Sequence, residues 1–124
     1  MTKIKSVEEM EVFKKAHALT LKIYQMTEKF PAEEKYGPVS QMKRASSSIA
    51  ANLMEGSHRL NRKEFRQFAG IARGSAGELK YYLLLVRDLK YLNESDYNIL
   101  IAATEEIGRM LTGLVNALSE KDAH

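Results

Sequence analysis

The sequence predicts an all-α protein, an up-down four-helix bundle that occupies residues 1–124 as one domain. Three observations lead to this prediction. Apolar residues recur every three or four positions in four segments, as they do on one face of an α-helix. Each of these segments starts at a recognisable helix N-terminal signal. The chain is long enough for a single core and contains no internal repeat or linker that would divide it.

The first helix is predicted to begin at Ser6, which with Glu9 fits a capping box that binds free backbone N–H groups. It is expected to end near Lys29, because Pro31 follows and the residue before a proline disfavours the helical conformation. Its predicted apolar face consists of Val7, Met10, Phe13, His17, Thr20 or Leu21, and Tyr24.

The connection at residues 30–38 should be a structured corner with a single helical turn over residues 32–35. The second helix is predicted to begin near Pro38, since proline is favourable at a first helical position. It should end around Gly56, with an apolar face made of Val39, Met42, Ser46, Ile49 and Leu53.

The third helix is predicted to start at a second capping box, formed by Asn61 and Glu64. One apolar face consists of Phe65, Phe68, Ala72, Ser75 or Ala76, Leu79, Leu83 and Val86. Another consists of Ile71, Tyr82, Leu85 and Leu89. A bundle helix needs only one buried stripe, so the second face predicts a further partner and indicates a homo-oligomer.

The fourth helix is predicted to start with Asn93 as its N-cap and acidic residues in its first turn. Its apolar stripe alternates spacings of three and four, as in a heptad repeat. The stripe consists of Tyr97, Leu100, Ala103 or Thr104, Ile107, Leu111, Leu114 and Leu118.

Two tracts of small residues, 45–52 and 69–77, are expected to face each other where the second and third helices cross. Gly70, Gly74 and Gly77 need a packing reason, because glycine costs about 1 kcal/mol relative to alanine in a helix interior. Small side chains let two helix backbones approach closely. The sequence therefore predicts a close crossing at these glycines.

Composition bounds the class of protein. There is no cysteine, which excludes disulfides and cysteine-based zinc sites. Residues 1–9 lack an apolar stretch of signal-peptide length. The longest apolar run, residues 81–86, is too short to span a bilayer. These features predict a cytoplasmic protein without membrane contact.

Charge is segregated along the chain. Residues 41–90 carry ten Lys and Arg against four Asp and Glu, whereas residues 91–124 carry two against six. A basic middle and an acidic end indicate either an anionic partner or complementary packing between subunits. The sequence leaves both interpretations open.

Candidate residues for catalysis or metal binding are few. Glu55 and His58 have the Glu-x-x-His spacing of di-iron bundles, but that site needs two such motifs and two further carboxylates. His17 is expected to be a core or interface histidine, and no partnered carboxylate supports acid–base catalysis. The serines at 46–48 lack the strand–turn–helix elbow of a nucleophile and are expected to be small packing residues. We therefore expect no enzyme activity, no metal and no cofactor.

Polar residues beside the small tracts are expected to form a structural ion-pair network. The residues concerned are Asn52, Glu55, Arg73 and Glu78. If buried, they must pair, because an uncompensated charge in the interior costs several kcal/mol.

A basic cluster at the junction of the second and third helices consists of His58, Arg59, Arg62, Lys63 and Arg66, with Lys43 and Arg44 expected nearby. The candidate nucleic-acid-binding residues on these two helices are Lys43, Arg44, Arg59, Arg62, Lys63, Arg66 and Arg73. Such side chains can hold phosphates, with an affinity that falls steeply with salt. The other interpretation is a solvated end of the bundle. The nearby Phe65 and Phe68 look like core residues, so base stacking is not indicated.

Several motifs carry a resemblance to a known family. Residues 44–52 read Arg-Ala-x-x-Ser-Ile-x-x-Asn, Glu55-Gly56 follows, and residues 74–79 read Gly-Ser-x-x-Glu-Leu. This combination resembles the four-helix-bundle family encoded by intervening sequences in bacterial 23S ribosomal RNA genes, over nearly the whole chain. That family is similar to the accessory variability determinant protein of diversity-generating retroelements.

The resemblance implies a ring-shaped homopentamer, as formed by members of both groups. It also implies a nucleic-acid-binding basic surface, because the retroelement relative binds nucleic acid and its reverse transcriptase in this way. The family has no catalytic residues to carry over. The expected function is thus a non-enzymatic oligomeric scaffold with weak, mostly electrostatic binding of RNA or DNA. The alternative is a protein–protein interaction module, in which the ring serves a protein partner and the basic residues pair with a neighbour's acidic fourth helix.

Overall fold

The computed structural model describes residues 6–122, and within that range it contains four α-helices, two 3₁₀ turns and no strand. The helices are α1 (Glu11–Thr27), α2 (Pro38–Ser57), α3 (Arg62–Asp88) and α4 (Glu94–Asp122). The 3₁₀ turns are Val7–Glu9 and Ala32–Glu34. The all-α prediction, the turn in the corner before Pro38 and the starts of the last three helices are confirmed.

Each helix packs antiparallel to the next, and α1 closes the bundle against α4. Contacts that join the four seams are Thr20 with Ser46, Ser48 with Ser75, Lys80 with Glu105, and Lys15 with Glu106. The α2–α3 and α3–α4 seams are the most extensive, whereas the α1–α4 seam is the sparsest. Along the α3–α4 seam, for example, Arg62 contacts Ala117 and Lys80 contacts Glu105, so the two helices run in opposite directions, as in an up-down bundle.

The core is made by the apolar stripes predicted for α2, α3 and α4. Its largest fully buried apolar side chains include Met42, Ile49, Leu53, Leu79, Leu83, Ile107 and Leu111. Two hydroxyls buried among them bond to their own helix. Ser46 donates to the Lys43 carbonyl at 3.2 Å, and Thr104 donates to the Leu100 carbonyl at 2.7 Å. Because both hydroxyls form hydrogen bonds, their burial does not cost the free energy that an unpaired buried polar group would.

The predicted start of the first helix is wrong, and its predicted apolar face holds only at its beginning, where Val7 is buried and Met10 and Phe13 pack against the core. The Ser6 side chain makes no capping hydrogen bond, and Met10 is extended, so α1 begins only at Glu11. The buried face of α1 is Val12, Ala16, Leu19, Ile23 and Thr27, and His17, Leu21 and Tyr24 are exposed. Both sets have helical spacing, one position or about 100° apart. Because the extended Met10 interrupts the helix, the apolar spacing that begins at Val7 does not stay on one helical face in α1.

The close approach between α2 and α3 occurs at Gly56. A Cβ placed there would lie 2.7 Å from Phe68 Cβ and 2.9 Å from Phe65 Cδ1. Ala69, Ala72 and Ala76 form the small-residue part of α3 that faces the core. The first small-residue tract contacts α3 as predicted, since the hydroxyls of Ser48 and Ser75 lie 2.9 Å apart.

The prediction that Gly70, Gly74 and Gly77 face α2 is wrong. All three are exposed, and a Cβ built on any of them meets nothing within 4 Å. The face of α3 that is buried in the core carries Ala69, Ala72 and Ala76, and these glycines lie outside that face.

The second apolar face of α3 is only partly covered within the chain. Ile71 is 51% exposed and Leu89 is 44% exposed, while Tyr82 and Leu85 are half-buried.

Within residues 6–122, no helix combines the length and hydropathy needed to cross a membrane.

Candidate nucleic-acid interface

The basic end of the bundle, defined as Arg59, Arg62, Lys63 and Arg66, lies where α2 ends and α3 begins. The His58 backbone N–H donates to the Glu55 carbonyl at 3.2 Å and closes α2. The Asn61 side chain accepts a hydrogen bond from the Glu64 backbone N–H at 2.9 Å, which confirms the predicted N-cap of α3. This tight turn leaves all four basic side chains exposed.

Arg59 is held against its own helix end. Its guanidinium lies 2.9 Å from the Glu55 carboxylate and 4.8 Å from the centroid of the Phe68 ring. An exposed pair at this spacing contributes only about 0.3–0.5 kcal/mol. Its charge is nevertheless partly neutralised, so Arg59 is the least available cation of the basic end.

Arg62 and Arg66 reach across to α4. The Arg62 guanidinium donates to the Ala117 carbonyl at 3.1 Å, and Arg66 Nε donates to the Val115 carbonyl at 3.3 Å. Carbonyl groups are neutral acceptors, so both arginines keep their full positive charge while their positions are fixed.

Lys43 and Arg44 do not join the basic end. Lys43 lies 4.8 Å above the Tyr24 ring of α1. Arg44 pairs with Glu78 of α3 and also donates to the Gln41 side chain. About 20 Å of helix separate Arg44 from the end of α2. The prediction that these two residues lie near the junction is therefore wrong.

Arg73 lies in an open groove of about 630 Å³ between α3 and α4, here called the glycine groove. The groove is lined mainly by Gly70, Arg73, Gly74, Gly77 and Lys80 from α3 and by Glu105, Gly108, Arg109 and Thr112 from α4. Lys80 and Arg109 of this groove are not among the residues that the sequence predicts for binding. Arg109 is isolated in an acidic segment, and only the heptad spacing of Arg66, Arg73 and Lys80 could have indicated a basic line along α3.

The cations of this region differ in how far they are neutralised. Lys80 pairs with Glu105 at 3.3 Å. Among the described side chains, no carboxylate lies within ion-pair distance of Lys63, Arg73 or Arg109. The positive charge of these three residues is thus uncompensated within the described part of the chain.

The ion-pair network predicted beside the small tracts does not form. Glu55 pairs with Arg59 and Glu78 pairs with Arg44. The Asn52 amide donates to the Ser48 carbonyl at 2.8 Å. Arg73 points away from all of these, into the glycine groove. Of the four residues, only Arg73 lines the groove between α3 and α4, and the partners of the others are residues that adjacency in sequence motifs could not indicate.

Neither candidate histidine lies in a reactive arrangement. His58 Nδ1 is 3.0 Å from the Met54 carbonyl, and its neighbour Glu55 is held by Arg59. His17 is exposed and stacks along Phe13 with ring centroids 6.5 Å apart, so it is not a core histidine, and a place at an interface between copies stays a prediction. Across the described residues, no group of three or more His, Asp or Glu side chains could hold a metal ion.

The opposite end of the bundle is closed by acid-paired groups. The Tyr91 hydroxyl donates to Glu34 at 2.6 Å, and this hydrogen bond, with burial, raises the pKa of Tyr91. Arg87 Nε lies 3.0 Å from Asp88, and that hydrogen bond raises the pKa of Arg87 although burial opposes it. Arg87 is therefore neutralised, unlike Arg73 two heptads earlier on the same helix.

The fold and this surface define the class, an all-helical four-helix protein with exposed cations along α3. The family model described as 23S rRNA-intervening sequence protein matches residues 8–113 of this chain. The chain belongs to that family, which confirms the family resemblance carried by its motifs. No curated protein is significantly similar to it in sequence.

A solved structure has the same fold. It is the crystal structure of a protein of unknown function from the S23 ribosomal protein family of Bacteroides thetaiotaomicron. The TM-score is 0.79 at 24% sequence identity, over 85% of this chain and 95% of the other. At this identity the likeness concerns the fold alone.

Proposed function

We propose that this protein is a non-enzymatic, homo-oligomeric helical scaffold that binds RNA or DNA weakly and mostly electrostatically. Binding uses the exposed basic residues of α3, together with those at the end of α2. The proposed setting is the cytoplasm, without a cofactor, a metal or a membrane.

One observation carries the proposal. Four cations in the first half of α3, Arg62, Lys63, Arg66 and Arg73, have no acidic partner among the described residues. Two are fixed by bonds to neutral carbonyls of α4, and all four are exposed. Several like charges on one stretch of helix create a positive potential that attracts anions. A phosphate backbone is such an anion, and it releases counterions on binding.

The test is fluorescence anisotropy with labelled RNA over a salt series. Wild type should bind at low salt and release the RNA as salt rises. The double substitution Arg62→Glu and Lys63→Glu should abolish binding, because it reverses two uncompensated charges at the basic end. The matched control is Lys22→Glu with Lys29→Glu, which makes the same charge change at exposed sites near the opposite end of the bundle.

Full RNA binding by the Arg62/Lys63 variant, with helicity unchanged by circular dichroism, would contradict the site. Equal loss in the control would mean that net charge alone matters. A wild-type protein that ignores both RNA and DNA at low salt would contradict the proposal as a whole.

The oligomeric part of the proposal is supported by the uncovered second face of α3. Ile71 and Leu89 are about half exposed in the single chain, and a neighbouring copy would bury them. The resemblance to the retroelement accessory protein suggests five copies in a ring. We propose this pentamer as the working assembly.

A second candidate function is a protein–protein interaction module. Leu60, at the tip of the α2–α3 connection, is 98% exposed, so its apolar side chain is available to a protein partner. Salt separates the two candidates. Release of RNA at high salt favours nucleic-acid binding, whereas dissociation of subunits at high salt favours pairing of basic residues with a neighbour's α4.

A further inference from the structure

We infer that the glycine groove is where a nucleic-acid backbone lies, with Arg73 and Arg109 as the phosphate-binding residues on its two walls. The inference rests on the proposed function and names the site within the basic surface. The contact would be made along the α3–α4 seam and would continue into the basic end.

Two unpaired arginines face each other across the groove. Arg73 on α3 and Arg109 on α4 line the same groove from opposite sides, and both are exposed. Neither has an acidic partner among the described side chains. Glu105, the acid that lines the groove, is already paired with Lys80 at 3.3 Å. Guanidinium groups match phosphate oxygens with two parallel hydrogen bonds, so two of them facing one groove suit a phosphodiester.

The line of positive charge extends beyond the groove. Arg66 precedes Arg73 by one heptad, about 10 Å along the helix. It is fixed over α4 by its bond to the Val115 carbonyl at 3.3 Å. A backbone that leaves the groove in this direction meets Arg66 and then the basic end.

The groove also has an open floor. A Cβ at Gly70, Gly74, Gly77 or Gly108 would meet nothing within 4 Å, so packing among the described residues gives no reason for glycine at these positions. Glycine destabilises a helix relative to alanine. It also lets a ligand approach the helix backbone closely, which a side chain in the groove would prevent.

A second copy of this chain is a poorer occupant. The described acidic side chains of α4 near its middle are already engaged, Glu105 with Lys80 and Glu106 with Lys15. A neighbour that covered the groove without new acids would bury two unpaired guanidinium groups, which is strongly unfavourable. A phosphodiester brings the missing negative charge.

The test compares the full-length wild type with Arg73→Gln plus Arg109→Gln, using labelled oligo(U) and oligo(dT) as probes. The variant should bind both probes about tenfold more weakly or worse, since charge-assisted hydrogen bonds are lost. The slope of log K against log salt should become shallower by about 1.4, roughly 0.7 for each lost phosphate contact. Lys22→Gln plus Lys29→Gln is the matched control and should leave affinity and slope unchanged.

A second variant, Gly74→Leu, fills the floor without changing the charge. It should weaken oligonucleotide binding while helicity and native mass stay as in wild type, because nothing in the chain lies near that position. Light scattering on the same samples gives the native mass.

The outcomes separate the two levels of the proposal. If wild type binds and the Arg73/Arg109 variant binds equally with the same slope, the groove assignment is wrong while the proposed function stands. If the variant loses binding together with a change in native mass, the groove is a contact between copies and the assignment is also wrong. If wild type binds neither probe, both proposals fail.

Discussion

Gly56 determines how closely the end of α2 lies on α3. Its missing side chain leaves room for Phe65 and Phe68, whose atoms would stand 2.9 Å and 2.7 Å from a Cβ. The nearer atom is Phe68 Cβ, which is attached to the backbone and cannot rotate away. Gly56→Ala should therefore destabilise the protein, because overpacking costs about 1–3 kcal/mol and outweighs a gain in helix propensity of up to about 1 kcal/mol. Urea unfolding followed by circular dichroism measures the difference.

The control is Gly74→Ala, at an exposed glycine with nothing within 4 Å of a Cβ. This variant should be as stable as wild type or more stable, by up to about 1 kcal/mol. Equal midpoints for Gly56→Ala and wild type would show that α2 and α3 can separate at no cost. A loss of stability in Gly74→Ala would show that another chain packs on that glycine.

At the scale of elements, Tyr91 fastens the corner before α2 to the connection between α3 and α4. Its hydroxyl donates to Glu34 at 2.6 Å, and its ring lies 5.7 Å from that of Phe30. The pKa of Tyr91 is raised by the hydrogen bond to Glu34 and then by burial. A raised pKa in the folded state means that this stabilisation is present below the ordinary tyrosine value, about 10. It is lost as pH rises through the higher folded value.

Tyr91→Phe keeps the ring contact and removes the hydroxyl, so it should lower Tm at neutral pH. The Tm difference from wild type should begin to shrink above about pH 10, where the hydroxyl of the unfolded chain ionises, and should vanish once the folded hydroxyl ionises at its higher pKa. Tyr36→Phe is the control, because Tyr36 is 86% exposed and should show no such difference. A Tm gap that stays constant up to strongly alkaline pH would contradict the role of the hydroxyl.

At the scale of the whole molecule, the second apolar face of α3 and the glycine groove lie on different sides of the same helix. The first is available to another copy of the chain and the second to an anion. We expect wild-type native mass to be about five times the 14.1 kDa chain and independent of salt, because the contact is apolar.

Ile71→Glu should lower the native mass, since it would bury an unpaired carboxylate between copies at a cost of several kcal/mol. Leu60→Glu is the control, at a side chain that is 98% exposed and outside this face. Static light scattering over a range of protein concentrations measures both. A wild-type protein that stays monomeric at every concentration would refute the assembly.

Much of the candidate site could be predicted, but not how its residues are used. The sequence indicated an exposed basic region, and all of its predicted cations except the half-buried Lys43 are exposed. It could not indicate that Arg62 and Arg66 form hydrogen bonds to α4 or that Arg44 forms an ion pair with Glu78. It also gave no reason to pair Arg73 with Arg109. These partners lie on other helices, and their distances depend on how the helices pack.

What the sequence by itself determined is the number of helices, the starts at Pro38, Asn61 and Asn93, and the buried faces of α2 and α4. These follow from forces within one or two turns, such as capping, proline stereochemistry and apolar spacing. Only the tertiary structure decided which of two apolar faces α1 buries and which side of α3 its glycines occupy. Rotating a helix by one residue keeps every local preference satisfied. The choice is therefore made by the neighbouring helices, through the fit of side chains such as Phe68 against Gly56.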